Sequence, residues 1–216
     1  MKEYRGHWRN QIGTNSKKVW EGLGIIKFVD GSLYQGMTKN EMFNGKGRMT
    51  HANSDIYQGE WLNGKANGFG VFVDLNGSMY SGEWLDDQQH GFGTESWSFN
   101  KIKYTGEFQY GKKSGQGRFE FDGGFYEGDF LDGQFHGYGK YFFADSGKVY
   151  EGEFKENNMD GKGTMTWPDQ SKYEGDFKNG KIEGKGTKQM ANGNRYIGEW
   201  KSDQMHGSGV FYNLND

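Results

Sequence analysis

The chain has 216 residues, with 26 Lys and Arg against 29 Asp and Glu, a net charge of -3 and a pI of about 6.0; this excludes the strong basic footprint of a nucleic-acid binder. It has no cysteine, which rules out a disulfide framework and thiolate chemistry, and no run approaching the ~18 apolar residues of a membrane span. Leu, Ile, Val and Phe make up only about 17%, a level at which disorder is suspected, but aromatic residues, Phe included, are 17%, they recur in register and the net charge is small, all of which argue for a folded chain.

In chain order, the first element opens at Tyr4-Arg5-Gly6-His7-Trp8, directly after Met1-Lys2-Glu3, with no apolar core of a signal peptide before it. Its partner pair, Gly22 and Gly24, arrives late: Trp8 to Gly22 is 14 residues, where the equivalent Trp61 to Gly68 is 7. The insert near 10–19, centred on Gln11 to Lys18, is expected to be an exposed polar loop. The second copy, Tyr34-Gln35-Gly36-Met37-Thr38 with Gly45 and Gly47, lacks the acidic residue and the large aromatic found later. The third, Tyr57-Gln58-Gly59-Glu60-Trp61 with Gly68-Phe69-Gly70, is complete. The same phrase restarts at Tyr80, Tyr104, Tyr126, Tyr150, Tyr173 and Tyr196, in steps of 22 to 24 residues. The copies are placed at about 4–33, 34–56, 57–79, 80–103, 104–125, 126–149, 150–172, 173–195 and 196–212, one array of nine across 1–216. A fixed period of this length signals a repeat architecture.

Within a copy, strand alternation puts Tyr57, Gly59 and Trp61 on one face and Gln58 and Glu60 on the other. Leu62 to Asn67 is expected to turn, and a second strand to begin at Gly68. Its column through Ile26, Met49, Phe72, Phe119, Tyr141 and Met165 is mostly apolar, although Glu95 and Lys188 interrupt it, so it is assigned to the buried face. Turn signals such as Asp30-Gly31, Asn76-Gly77 and Asn192-Gly193 follow each second strand; Asn76-Gly77-Ser78 is read as a turn rather than a glycosylation site. The expected fold is all-β: an elongated, single-layer antiparallel meander of hairpins with a twisted open groove. Glycine normally weakens a strand; here it is expected to make room for an aromatic ring lying across the neighbouring strand.

The phrase Tyr-x-Gly-[Glu/Asp]-[Trp/Phe], a turn, then (His)-Gly-x-Gly resembles the MORN (membrane occupation and recognition nexus) repeat, most fully at Tyr80 to Gly93 and Tyr196 to Gly209. The resemblance covers roughly residues 4–212. It implies a cytoskeletal, ciliary or radial-spoke-type scaffold of the cytoplasm whose sheet forms an open groove for partner segments. It also implies, as the alternative, an anionic-phospholipid or membrane-associated tethering module.

The residues themselves argue against catalysis. Successive members of the acidic column, Glu60, Glu83, Glu107 and onward, stand one repeat or ~10 Å apart on an open face, whereas paired glycosidase carboxyls need about 5–9.5 Å and an enclosing cleft. His90, His136 and His206 are repeats apart and cannot share a metal, whose ligands lie near 2 Å from it. No catalytic residue, cofactor or metal site is therefore expected. Arrays of this kind hold partners along long surfaces. Partner contacts are expected at ring positions such as Trp84, Phe108 and Phe130 along the groove. The last strand, with Val210, Phe211 and Tyr212, has no helix or proline over it. Such an edge is a template for a partner strand or a second copy in a homodimer. Residues 1–48 carry nine basic and four acidic groups, so any lipid contact is expected at Arg5, Arg9, Lys17 and Lys18.

Overall fold

The computed structural model describes residues 3–10, 18–97 and 101–214. Most of the insert near 10–19, Lys17 included, lies outside them. The chain forms two compact units, Met1–Lys112 and Lys113–Asp216. The first carries β1 (Glu3–Asn10), β2 (Lys18–Lys27), β3 (Leu33–Lys39), β4 (Met42–Thr50), β5 (Ile56–Leu62), β6 (Lys65–Val73), β7 (Met79–Leu85), β8 (Gln88–Trp97) and β9 (Ile102–Gln109). The second carries β10 (Lys112–Phe121), β11 (Gly124–Leu131), β12 (Gln134–Phe143), β13 (Lys148–Lys155), β14 (Asn158–Thr166), β15 (Lys172–Lys178), β16 (Lys181–Gln189), β17 (Arg195–Lys201) and β18 (Gln204–Tyr212). Within each unit every strand pairs antiparallel with its neighbour in sequence, in an open hairpin meander. The protein is the all-β hairpin meander its sequence predicts.

The β5–β6 hairpin shows how the sequence builds each repeat. Its turn is only Asn63-Gly64, with φ of 50° and 86°. Positive φ at both central residues is the type I′ pattern, whose twist matches that of the flanking strands. β6 therefore starts at Lys65, not at Gly68 as the sequence suggested. The surplus residues are taken up by a bulge: Gly59 pairs with Gly70 and Trp61 with Ala66, so Glu60 alone faces residues 67–69. Gly68 sits in that bulge at φ 88°, a conformation costly for a residue with a Cβ. The same register shift recurs in the β3–β4, β7–β8, β11–β12, β13–β14, β15–β16 and β17–β18 hairpins.

These registers line up one glycine per strand. In the first unit Gly6, Gly24, Gly36, Gly47, Gly59, Gly70, Gly82, Gly93 and Gly106 are consecutive cross-strand partners. In the second, the row runs from Gly117 through Gly128 and on to Gly209. On one face of this row lie the tyrosines. Tyr34, Tyr80, Tyr104, Tyr126, Tyr150 and Tyr173 are fully buried. Each ring crosses the glycine of the adjoining strand: a Cβ on Gly70 would collide with the Tyr57 ring. Each hydroxyl donates to the carbonyl three residues on, as in Tyr57 to Glu60 at 2.9 Å and Tyr150 to Glu153 at 2.9 Å. Aromatic rings join successive repeats edge to face. Tyr57 meets Trp61 at 4.9 Å and Trp84 at 5.1 Å between centroids. Tyr150 meets Phe154 at 5.1 Å and Phe177 at 4.8 Å. This is the favoured geometry of aromatic quadrupoles, and it supplies a core inside a single layer.

The hairpin turns form a second ladder between repeats. Gly64 N–H donates to Phe43 O at 2.9 Å, Asp87 N–H to Ala66 O at 3.0 Å and Gly180 N–H to Met159 O at 2.9 Å. The glycine row and the tyrosine hydroxyl bond extend to β1 and β2: Gly6 pairs with Gly24, and Tyr4 donates to His7 O at 2.7 Å.

Candidate functional site

The face opposite the tyrosines is open. Each unit has a groove there, floored by the glycine row. In the first unit it encloses about 1000 Å³ and is bordered by Leu23, Lys46, Arg48, Phe69 and Val71. In the second it encloses about 990 Å³ and is bordered by Tyr138, Glu151, Lys162, Lys185 and Val210. On this face the floor is main chain, because the side of each glycine where a Cβ would stand is turned to the tyrosine rings.

The side chains that rise beside these floors are the middle residues of Gly-x-Gly. At four of these positions the residue is large and apolar: Leu23, Phe69, Phe92 and Tyr138, which are 59%, 56%, 57% and 56% exposed; the others hold Lys46, Gln116, Lys162, Lys185 and Ser208. The acidic column explains how they are held. Glu83 Oε1 accepts the N–H of Phe92 at 3.0 Å, and Asp129 Oδ2 accepts that of Tyr138 at 2.8 Å. Asp176 Oδ2 accepts that of Lys185 at 2.8 Å. Each carboxylate satisfies a donor that the bulge leaves without a strand partner, and so fixes the outward residue. Partial burial pushes the Asp176 carboxyl up, but hydrogen bonds from Lys162 and the Lys185 N–H, with the two lysine charges, outweigh it and hold it below the usual carboxylate range.

The ring positions expected to line the groove lie on the other side. Phe108 and Phe130 are only 3% and 4% exposed. Phe108 packs on Tyr80 and Tyr104, and Phe130 on Tyr126. Trp84 is half-buried, and its Nε1 donates to Gly70 O at 3.1 Å. These rings build the core and border neither groove. The reason is the single layer: with no second sheet to pack against, the large rings of the repeat are used to cover the tyrosine face. Val210, Phe211 and Tyr212 are exposed, as is every residue of β18. Val210 borders the second groove, whereas the Tyr212 ring lies under Arg195, 4.8 Å from centroid to guanidinium carbon.

The residues named for lipid contact are scattered in their engagements. Arg5 pairs with Glu3 at 2.6 Å. Arg9 pairs with Glu21 at 3.0 Å and reaches Asn40 Oδ1 at 3.2 Å. Lys18 is exposed. His90 and His206 stand across from Glu83 and Glu199 in the bulges, and among the described residues no group of three His, Asp or Glu side chains could hold a metal. The outward Gly-x-Gly column was missed in sequence, although parity marks it: a residue between two glycines of one face must point to the other.

A family model for the MORN repeat matches residues 34–56, 57–79, 80–98, 104–124, 126–148, 150–172, 173–195 and 196–213. A comparison with curated proteins finds no match. Among solved structures, the wild-type TCP10 domain of Danio rerio CPAP is similar at 13% identity, over 91% of this chain and 95% of that chain, with a TM-score of 0.46. The TCP domain of Drosophila melanogaster SAS-4 (dCPAP), in complex with a proline-rich motif of Ana2 (dSTIL), is similar at 15% identity, over 79% of this chain and 90% of that chain, with a TM-score of 0.44.

Proposed function

This chain belongs to the MORN repeat family, and on that premise we propose that it is a non-enzymatic protein-interaction scaffold working in a cytoskeletal or ciliary (axonemal) assembly. The observation that carries the proposal is the pair of grooves floored by main chain at the glycine row, about 1000 and 990 Å³ in volume, with exposed apolar side chains at Leu23, Phe69, Phe92 and Tyr138 of the Gly-x-Gly column. Exposed apolar positions gathered at a groove mark interaction surfaces. Partner segments lie across the strands, their backbone close to the glycines and their side chains between Phe69, Phe92 or Tyr138 and the neighbouring walls. The exposed β18 edge offers a further contact, to a partner strand or a second copy. The membrane reading is weaker, because Arg5 and Arg9 already engage carboxylates.

The test is affinity capture from cell extract under salt-washed and detergent-washed conditions, with wild type and a Phe69→Glu/Phe92→Glu/Tyr138→Glu variant. Partners that survive detergent and are lost with the variant support the scaffold. Release of the chain together with lipid, or the same capture by both proteins, argues against it.

A further inference from the structure

The two grooves differ in chemistry. In the second unit the lysines have acidic company: Lys162 pairs with Asp176, and Glu151 and Glu174 border the groove, as does Glu199, whose carboxylate is turned into its bulge toward Gly207. In the first unit Lys46 and Arg48 flank Gly47 on β4, both exposed, and neither has an ion-pair partner among the described residues. Glu60, the cross-strand partner of Lys46, also borders the groove, with its carboxylate turned toward Gly68 in the bulge. Gln35 and Gln58 lie beside the cations, and apolar residues stand on both sides of them: Leu23 on β2, and Ile56, Phe69, Val71 and Val73 on β5 and β6.

The groove thus reads, from β2 to β6, as apolar, cationic, apolar. Four strand spacings of ~4.8 Å make this about 19 Å, which an extended chain covers in roughly six residues. We propose that the first unit's groove holds an extended segment of a partner protein, roughly six residues long, acidic in its middle and apolar at both ends. The proposal rests on the scaffold reading and specifies its ligand. Arg48 offers a carboxylate a planar two-donor fork and Lys46 a compact charge. The segment lies over the main-chain floor at Gly36, Gly47 and Gly59, while Phe69 and Leu23 receive its flanking side chains. An acidic centre also explains selectivity between grooves, since the second unit's carboxylates would repel it.

The test uses the full chain and two capped, fluorescein-labelled hexamers. Both carry leucine and phenylalanine at their ends; one has two aspartates in the middle, the other two lysines. Fluorescence anisotropy should show the aspartate peptide binding at least ~10-fold more tightly, with the preference shrinking at high salt. Lys46→Glu/Arg48→Glu should reverse the preference, and Phe69→Ser should weaken both peptides, with circular dichroism unchanged in each variant. Equal affinity for the two peptides, or no binding of either, overturns the proposal. So does sedimentation with phosphatidylserine vesicles that depends on Lys46 and Arg48 while the peptides are not distinguished; that result assigns the cations to a lipid surface. Capture of cellular partners that depends on Phe69 but not on Lys46 and Arg48 overturns the acidic ligand and leaves the scaffold standing. Capture indifferent to all three residues removes both.

Discussion

Tyr104 illustrates what one residue of the repeat does. Its ring is fully buried, packs edge to face on Phe108 with centroids 5.0 Å apart, and its hydroxyl donates to Glu107 O at 2.9 Å. Tyr104→Ala should cost about 3–5 kcal/mol, as large aromatic truncations do, while Tyr104→Phe should cost only about 1 kcal/mol for the lost hydrogen bond. Both are measured by urea denaturation; similar losses for the two would show that the hydroxyl, not the ring, supports the sheet. The glycines under the rings make the complementary case. A Cβ on Gly70 would meet the Tyr57 ring, whereas one on Gly64 would meet nothing. Gly64→Ala should cost roughly 1–2 kcal/mol, because the turn holds a left-handed conformation at φ 86°. Gly70→Ala should cost more, since overpacking of about 1–3 kcal/mol at one site also shifts the ring that joins two repeats. The reverse order would mean that the tyrosines can move aside.

At the level of the hairpin, the bulge and its acidic cap act together. Glu83→Ala frees the Phe92 N–H and should cost about 1 kcal/mol, which thermal unfolding of the variant would detect. The strand column on the tyrosine face also contains two charged residues, Glu95 and Lys188, where other repeats place Met49, Met165 or Phe72; Lys188 is the cation of the two. Burial pushes its amine down to about 8, partly opposed by Asp169, and Nζ lies over the Trp167 ring. Below pH ~8 the folded chain carries this proton in an unfavourable place, while from there to about pH 10.5 only the unfolded chain keeps it, so stability rises with pH across that window. Lys188→Met should therefore be stabilising at pH 7, with an advantage over wild type that shrinks by pH 9.5. Paired denaturant titrations at the two pH values measure this; an advantage independent of pH would place the amine in ordinary solvent.

For the whole molecule, the tyrosine rows set the alkaline limit. Desolvation raises the hydroxyls of Tyr34, Tyr57, Tyr80, Tyr104, Tyr126, Tyr150 and Tyr173 well above the ordinary tyrosine range. The unfolded chain loses these protons first, near pH 10. Their contribution is thus complete below about pH 10 and is lost as pH rises toward the folded values. Because many equivalent groups titrate alike, alkaline unfolding should be steep, with the tyrosinate absorbance of these seven residues appearing together with loss of the sheet's circular dichroism. Ionisation of all 13 tyrosines in an intact sheet would contradict the burial of these rings.

The class of the fold, the spacing of the hairpins and the membership of the tyrosine face were legible in the sequence, because Tyr57, Gly59 and Trp61 obey strand alternation and the phrase repeats every 22 to 24 residues. The grooves were not. Alternation says which residues share a face, but not which face of a single layer remains open; that was decided when Phe108 and Phe130 were drawn into the core. Nor does a residue count reveal that Asn63-Gly64 makes the whole turn, since the residues it leaves over enter a bulge whose carboxylate cap forms only when both strands are in place. The ion pairs of Arg5 and Arg9, and the free state of Lys46 and Arg48, depend likewise on which strands the sheet sets side by side, a matter of distance in space that position along the chain does not encode.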